Sequence, residues 1–484
     1  MTTRAWQLAL LCAGAAACAV GPDFQQPAPP GVGRYTHDGV RGMITADGVA
    51  QEVRPGAPLV SQWWQLFHSR ALDGLVTQAL AGNASIEAAR ASLRRSRYSL
   101  LAGYGVFWPQ LDLNAGATRE RFTASQFGMA TPPSEFNVYT LSGTLGYTLD
   151  VFGGNRRTVE GLRAQVDVQC YSLAAARLSV TGNVVNTAIA GTAYRAEIAA
   201  TEQLITSLRQ QVSIAEAQAT AGTAAYSSVL QLRSQLASTI ATLPPLRVRL
   251  VQAENLLASL IGRAPAEWRP PALELGQITL PGDLPVSLPS ELARPRPDIL
   301  VAEANLHVAS ANVGVATAAM FPRFSISGAS GSSSNRLGSL FSSTSVFWNL
   351  GVNLTQPLFH GGTLWYQRKA AIEAFNQSFA SYRQTVINAL SDVANSLSAL
   401  ALDAELVDAQ DKAAHTAADA RKLIETNYAA GIVDYVQVLI AENTYLQAKL
   451  GYIQAQAQRL QDTVALFSAL GGGWWPDRPA LCGK

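Results

Sequence analysis

Tyr139-Thr140-Leu141-Ser142-Gly143-Thr144-Leu145-Gly146-Tyr147-Thr148-Leu149 places Tyr139, Leu141, Leu145, Tyr147 and Leu149 in alternation with Thr140, Ser142, Thr144, Gly146 and Thr148. Val346-Phe347-Trp348-Asn349-Leu350-Gly351-Val352-Asn353-Leu354-Thr355 does the same, with Val346, Trp348, Leu350, Val352 and Leu354 on the apolar side. Successive side chains of a strand point to opposite faces, so each segment has one apolar and one small, polar face. Strands in soluble proteins average about 5–6 residues, whereas crossing a bilayer at a tilt takes about 9–11. Alternation of this length predicts membrane barrel strands.

Working outward, Gln110-Leu111-Asp112-Leu113-Asn114 and Arg323-Phe324-Ser325-Ile326-Ser327 begin the partner strands. The Gly- and Ser-rich segments Thr123–Glu135 and Ala329–Ser345 predict loops at the strand tips. Four strands cannot close a barrel, since small closed barrels start at about eight, and lipid tolerates no open edge. Copies of the chain must therefore pool their strands. A dimer's eight-stranded bore would largely fill with side chains, while a trimer's twelve strands leave a lumen. The set Thr140, Ser142, Thr144, Asn349, Asn353 and Thr355 suits a water-filled interior.

Before each strand pair lies an amphipathic helix, expected over Leu72–Gly103 and Pro289–Ala319, stopped by Phe107-Trp108-Pro109 or Met320-Phe321-Pro322. A Gly-Gly ends each pair, and a very long helix follows, Asn155–Ala221 and Thr363–Ala430, each about 100 Å at ~1.5 Å per residue. These helices end at Gly222 and Gly431, residues suited to a left-handed C-cap. Return helices are expected over Ser227–Gly262 and Tyr435–Leu470. The halves are a tandem duplication: Gly222 recurs as Gly431 at an offset of 209, Gly153 as Gly361 at 208, and Pro109 as Pro322 at 213.

The fold class is therefore mainly α with a β membrane segment and an internal repeat. Its expected parts are a signal peptide (1–17), an N-terminal segment (18–68), a first repeat (69–262), a Pro-rich joint (263–288), a second repeat (289–470) and a C-terminal tail (471–484).

Arg4 followed by the apolar run Leu8–Ala17 has the layout of a secretory signal. Ala15-Ala16-Ala17-Cys18 resembles a bacterial lipobox, which makes Cys18 the expected lipidation site; Ala19 rather than Asp after it points to the outer membrane. Of the remaining cysteines, Cys170 and Cys482 form no framework. A bridge between them is compatible with an oxidising compartment, but separate thiols are the favoured expectation.

Charged residues are only 14% of the 484, well under the ~25% of a typical soluble domain. The net charge of +2 leaves no basic footprint for nucleic acid. His37, His68, His307, His360 and His415 are scattered without metal-ligand spacing, and no phosphate loop or catalytic constellation is found, so neither an enzyme, a cofactor nor a metal is expected.

Trp63-Trp64-Gln65-Leu66-Phe67, Leu292-Ala293-Arg294-Pro295-Arg296-Pro297-Asp298-Ile299, Ala319-Met320-Phe321-Pro322 and Ala469-Leu470-Gly471-Gly472-Gly473-Trp474 closely resemble TolC/OprM-type outer-membrane efflux lipoproteins, as does Val20-Gly21-Pro22-Asp23-Phe24 after Cys18. The resemblance covers essentially the whole chain. It implies a homotrimer in outer-membrane lipid, a twelve-stranded barrel and a periplasmic helical tunnel. It also implies a periplasmic adaptor and an inner-membrane RND pump as partners, with drugs or other small toxic compounds leaving through a passive duct. The tips around Gly222 and Gly431 then form the periplasmic entrance, with Tyr226, Arg233, Tyr428, Asp434, Tyr435 and Glu442 as candidate gate groups. Family members often carry Arg-Tyr before the Gly turn and Asp-Ala-Gln-Arg after it. This chain has Asn427-Tyr428 and Ile440-Ala441-Glu442-Asn443 instead, which predicts a gate held by packing and neutral hydrogen bonds. An ABC-type exporter, a metal-efflux system and a non-pore coiled-coil lipoprotein are the alternatives.

Overall fold

The computed structural model describes residues 19–37, 42–57, 59–123, 128, 132–292, 296–474 and 482; the signal segment and Cys18 lie outside them. Along the chain run β1 (Met43–Ala46), β2 (Val49–Pro55), α1 (Arg70–Gly82), α2 (Ala84–Gly103), β3 (Gln110–Phe122), β4 (Ser134–Leu149), α3 (Gly154–Thr220), α4 (Tyr226–Ile261), β5 (Asp283–Val286), α5 (Pro297–Ala318), β6 (Arg323–Ser334), β7 (Val346–Thr355), α6 (Thr363–Ala429) and α7 (Tyr435–Ala469). The duplication is literal at the level of elements: α3 and α6 both have 67 residues.

Four expectations are corrected. The helix expected over Leu72–Gly103 is two helices, because Asn83 between them is extended and acts as a cap. Its Oδ1 accepts the backbone N–H groups of Ser85 (2.9 Å) and Ile86 (3.2 Å), while its Nδ2 donates to the Leu260 carbonyl (2.8 Å). The loops are shorter than expected. β4 starts at Ser134 and β6 continues to Ser334, since Gly328–Ser334 pairs residue by residue with Leu145–Tyr139. A Gly/Ser-rich segment still has its full set of backbone donors and acceptors, and a neighbouring strand recruits them. The third concerns Cys170 and Cys482, which form a disulfide with Cα atoms 5.4 Å apart. The helix expected from Pro289 starts at Pro297, where a missing N–H costs nothing.

The chain divides into two compact units. The first comprises Met1–Pro27, Leu93–Val168 and Ala302–Tyr382. It holds an antiparallel four-stranded sheet in the order β3-β4-β6-β7. Below the strands, Phe152 and Phe321 stack at 4.8 Å between ring centroids. An N-terminal strap lies against the same unit. Val20 donates its N–H to the Phe152 carbonyl (3.0 Å), and buried Arg157 reaches Asp23 (2.6 Å) and Glu160 (2.8 Å). Phe24 stacks on His307, whose Nε2 lies 2.9 Å from Glu160. Gly21 has φ +93°, and a Cβ there would lie 2.5 Å from the Gly314 Cα, so only glycine fits.

The second unit comprises Ala28–Ser92, Gln169–Val301 and Arg383–Lys484. Its small sheet is ordered β1-β2-β5, antiparallel then parallel. The Trp-Trp-Gln-Leu-Phe segment supplies core, not surface: Trp63 and Phe67 are buried against Phe467 of α7, at centroid distances of 5.6 and 6.2 Å.

Candidate channel wall and entrance

The register of the large sheet decides which side chains share a face. Asp112, Thr144, Ala329 and Asn349 lie side by side, as do Asn114, Ser142, Gly331 and Phe347. Thr140, Ser142, Thr144, Asn349, Asn353 and Thr355 all fall on this one face, as their alternation predicts. Lateral hydrogen bonds tie it together: Asn114 Nδ2 donates to Thr144 Oγ1 (3.0 Å) and Asn353 Nδ2 to Ser327 Oγ (3.1 Å). The opposite face aligns Leu111, Leu145, Gly328 and Leu350, and next to them Leu113, Gly143, Ser330 and Trp348. In a single chain Leu113 is 79% and Trp348 77% exposed. Contiguous apolar exposure of this kind belongs against lipid or a partner. Edge strands β3 and β7 each pair on one side only, leaving ladder groups of 13- and 10-residue strands open. In hydrocarbon each unsatisfied group costs several kcal/mol, so this sheet is stable in a membrane only when its edges are joined.

In the second unit, the two helix hairpins end in the same turn. Gly222 and Gly431 both have φ +75°. Gly222 N donates to the Ala219 carbonyl and Thr223 N to that of Gln218; Gly431 N and Ile432 N repeat this with Tyr428 and Asn427. These are Schellman caps, which satisfy the last carbonyls of α3 and α6. The candidate gate residues separate into two groups. Tyr428, Tyr435 and Glu442 converge on α3. Tyr428 Oη donates to Gln218 Oε1 (3.2 Å), Tyr435 Oη donates to Gln211 Oε1, and the two rings meet edge to face at 5.2 Å. Glu442 is 1% exposed and accepts from Ser207 Oγ (3.2 Å) and Gln211 Nε2 (3.3 Å). Burial raises its pKa above the ordinary carboxylate value, Arg421 at 3.7 Å opposes the rise, and Glu425 adds to it. Burial also raises the Tyr435 pKa, so its phenol keeps its proton. Leu204, Leu208, Val212, Val229, Leu232 and Leu446 form the apolar core beside this ladder.

The remaining residues do not join it. Arg233 pairs with Glu216 (2.6 Å) inside the first hairpin, where both are solvated. Tyr226 is exposed at the start of α4, and Asp434 caps α7 by accepting from Gln437 N (3.2 Å). Sequence reasoning missed the partners on α3, although the signal was there: Ser207, Gln211 and Gln218 are polar breaks in an apolar stripe, four and seven residues apart.

Two buried arginines, also missed, hold the second unit together, and a carboxyl pair, missed as well, lies beside one of them. Arg296, from the Arg-Pro-Asp-Ile segment, donates to Asp298 (2.6 Å), Asp392 (3.1 Å) and the last carbonyl of α7, Ala469 (2.9 Å). Arg459, 1% exposed, reaches Gln51 Oε1 (3.1 Å) and the carbonyls of Ala46 and Val49, clamping the β1-β2 hairpin to α7. Asp403 of α6 is pushed up to about 7 by burial and by its hydrogen-bonded neighbour Asp462, with Arg459 opposing.

The family model for outer membrane efflux proteins matches residues 75–263 and 288–472, two consecutive copies. Among similar proteins, the pyoverdine export outer membrane protein OpmQ of Pseudomonas aeruginosa is 29% identical over 436 residues, 89% of this chain and 91% of that protein. Outer membrane protein OprJ of the same organism is 29% identical over 479 residues, 95% and 93% of the two chains. The solved structure of the outer-membrane channel OprN superimposes with a TM-score of 0.85 at 27% identity, over 95% of this chain and all of the other. An outer-membrane site fits the sheet, whose one face is apolar and whose other is wet. Since the family model accounts for both halves in the order that the duplication requires, the chain belongs to the outer membrane efflux protein family.

Proposed function

We propose that three copies of this chain close a twelve-stranded barrel continued by a periplasmic helical tunnel, and that this duct is the exit of a tripartite pump. A periplasmic adaptor docks on the tips, and an inner-membrane RND transporter supplies the energy. The cargo class is drugs or other small toxic compounds, a reading that membership of the efflux protein family supports. The observation that carries this is the unpaired pair of edges, β3 and β7, on a sheet with one apolar and one polar face. A dimer's bore would be plugged by side chains, whereas the face lined by Thr140, Ser142, Thr144 and Asn353 suits water.

The repeats at 69–262 and 289–470 form the helical and strand framework, with 263–288 as joint and 471–484 as tail. Residues 1–17 are removed and Cys18 is lipidated. In support, Ala19 lies against Gly153, four residues past the end of β4, at the level where strands meet helices. At the entrance, Tyr428 and Tyr435 hold the second hairpin on α3 through neutral hydrogen bonds, and no ion pair spans the two tip turns among the described residues. Native mass spectrometry in detergent tests the assembly, with a monomer or dimer refuting the strand count. Planar-bilayer conductance tests the duct and its gate: it should track bulk conductivity between 0.1 and 1 M KCl, as a gate without ionic locks requires. A rise steeper than bulk conductivity would refute the neutral gate.

A further inference from the structure

The apolar face of the sheet changes character at one level. On β3, Leu111, Leu113, Ala115 and Ala117 are followed by Arg119 and Arg121. On β4, Tyr139 is followed toward the same end by Asn137 and Glu135. The register pairs Arg119 with Asn137 and Arg121 with Glu135, so these four share the face of the leucines, while Thr118 and Glu120 take the other. From Leu111 to Arg119 is eight residues, about 27 Å along a strand and roughly 20 Å in height at barrel tilt. The arginines thus stand at the margin of an apolar band about 25 Å tall. That margin is at the ends of β3 and β4 remote from the attachment of α2 and α3, hence the outer one.

Both side chains are open to solvent, 73% for Arg119 and 66% for Arg121, and both lean on one carboxylate, Glu135, at 3.1 and 3.8 Å. Two cations against one anion leave a net positive charge. A guanidinium has five N–H donors, and the one hydrogen bond to Glu135 uses a single donor of Arg119. A cation beside hydrocarbon is costly unless an anion meets it there.

We infer that Arg119 and Arg121 form a site for the phosphate groups of the acidic, multiply acylated glycolipid of the outer leaflet. The inference rests on the outer-membrane trimer proposed above, which repeats the cluster three times around the rim. The planar forks match phosphate oxygens in a way that a point charge does not. Leu111, Leu113, Ala115 and Ala117 directly beneath receive acyl chains, and it is this apolar skirt that favours a lipid headgroup over free phosphate.

The test uses the full-length trimer in detergent with three probes: diphosphoryl lipid A, its dephosphorylated form, and sodium phosphate. Native mass spectrometry should show the phosphorylated lipid retained at least about tenfold over the dephosphorylated one. Arg119→Gln/Arg121→Gln should abolish that preference while leaving trimer mass and conductance unchanged. Glu135→Gln, which removes the competing carboxylate, should increase retention, and it decides the matter if the double variant fails to assemble. Equal retention of the two lipids by the wild type, or an unchanged preference in the double variant, overturns the site. Displacement of the lipid by millimolar sodium phosphate assigns the site to free phosphate and overturns the lipid assignment. A conducting trimer that lacks the preference would sink this inference alone and leave the duct standing.

Discussion

Replacing Asp403 by Asn should stabilise the protein most at pH 8, and by progressively less as the pH falls toward 4. Asp403 lies on the buried side of α6 between Leu400 and Val407, and its Oδ2 finds no hydrogen-bond partner among the described residues. Burial, and then the adjacent Asp462, push its pKa from 3.8 to about 7. Between those two values the unfolded chain has released the proton and the folded chain still holds it. The folded state therefore binds more protons, and stability falls as pH rises across that window. About three units at ~1.36 kcal/mol each amount to roughly 4 kcal/mol per protomer. The two carboxyls titrate together, so the figure belongs to the pair. Asp403→Asn keeps the size and a hydrogen-bonding group and removes one charge, which recovers about 2–4 kcal/mol at pH 8. Thermal unfolding of the purified protein followed by circular dichroism from pH 5 to 8 is the assay. The wild-type midpoint should fall by several degrees across this range while that of the variant stays flat. Parallel pH profiles, or a variant less stable than wild type at pH 8, would show that Asp403 carries no raised pKa in the folded state.

Three further outcomes are expected. Arg296→Met removes the donor to the buried Ala469 carbonyl and to two carboxylates, and should lower stability by about 3–5 kcal/mol in chemical denaturation; Arg296→Lys should restore less than half, because a point charge cannot serve all three acceptors. Gly431→Ala places a Cβ in the left-handed region with open space around it, so only backbone strain of about 1–2 kcal/mol acts, read as faster hydrogen exchange confined to the tip. Cys170→Ser removes a bridge that closes a sequence separation of 312, which should cost about 2–4 kcal/mol, and a reductant should lower the wild-type melting temperature toward that of the variant while leaving the variant unmoved.

The membrane strands, the long helices, their glycine caps and the duplication were legible in the residues alone. Each of these is a local pattern: alternation along one strand, helical periodicity along one helix, a glycine where the chain must turn left-handed. Even the polar face of the wall was legible, because the Thr140-to-Thr148 alternation survives whatever strand pairs beside it. Where local composition was ambiguous, tertiary structure decided. Gly328–Ser334 has too few side chains to declare a strand, and only β4 lying beside it makes one. Asn83 breaks a helix that its neighbours favour, because the Leu260 carbonyl 177 residues away accepts from its amide. Glu442 looked like a surface charge at a tip and is instead buried beside Ser207 and Gln211, more than 200 residues earlier in the chain. Arg459, Asp403 and the Cys170–Cys482 bridge follow the same rule. A charge's environment is set by what packs around it, and those partners come from distant segments that no local pattern announces.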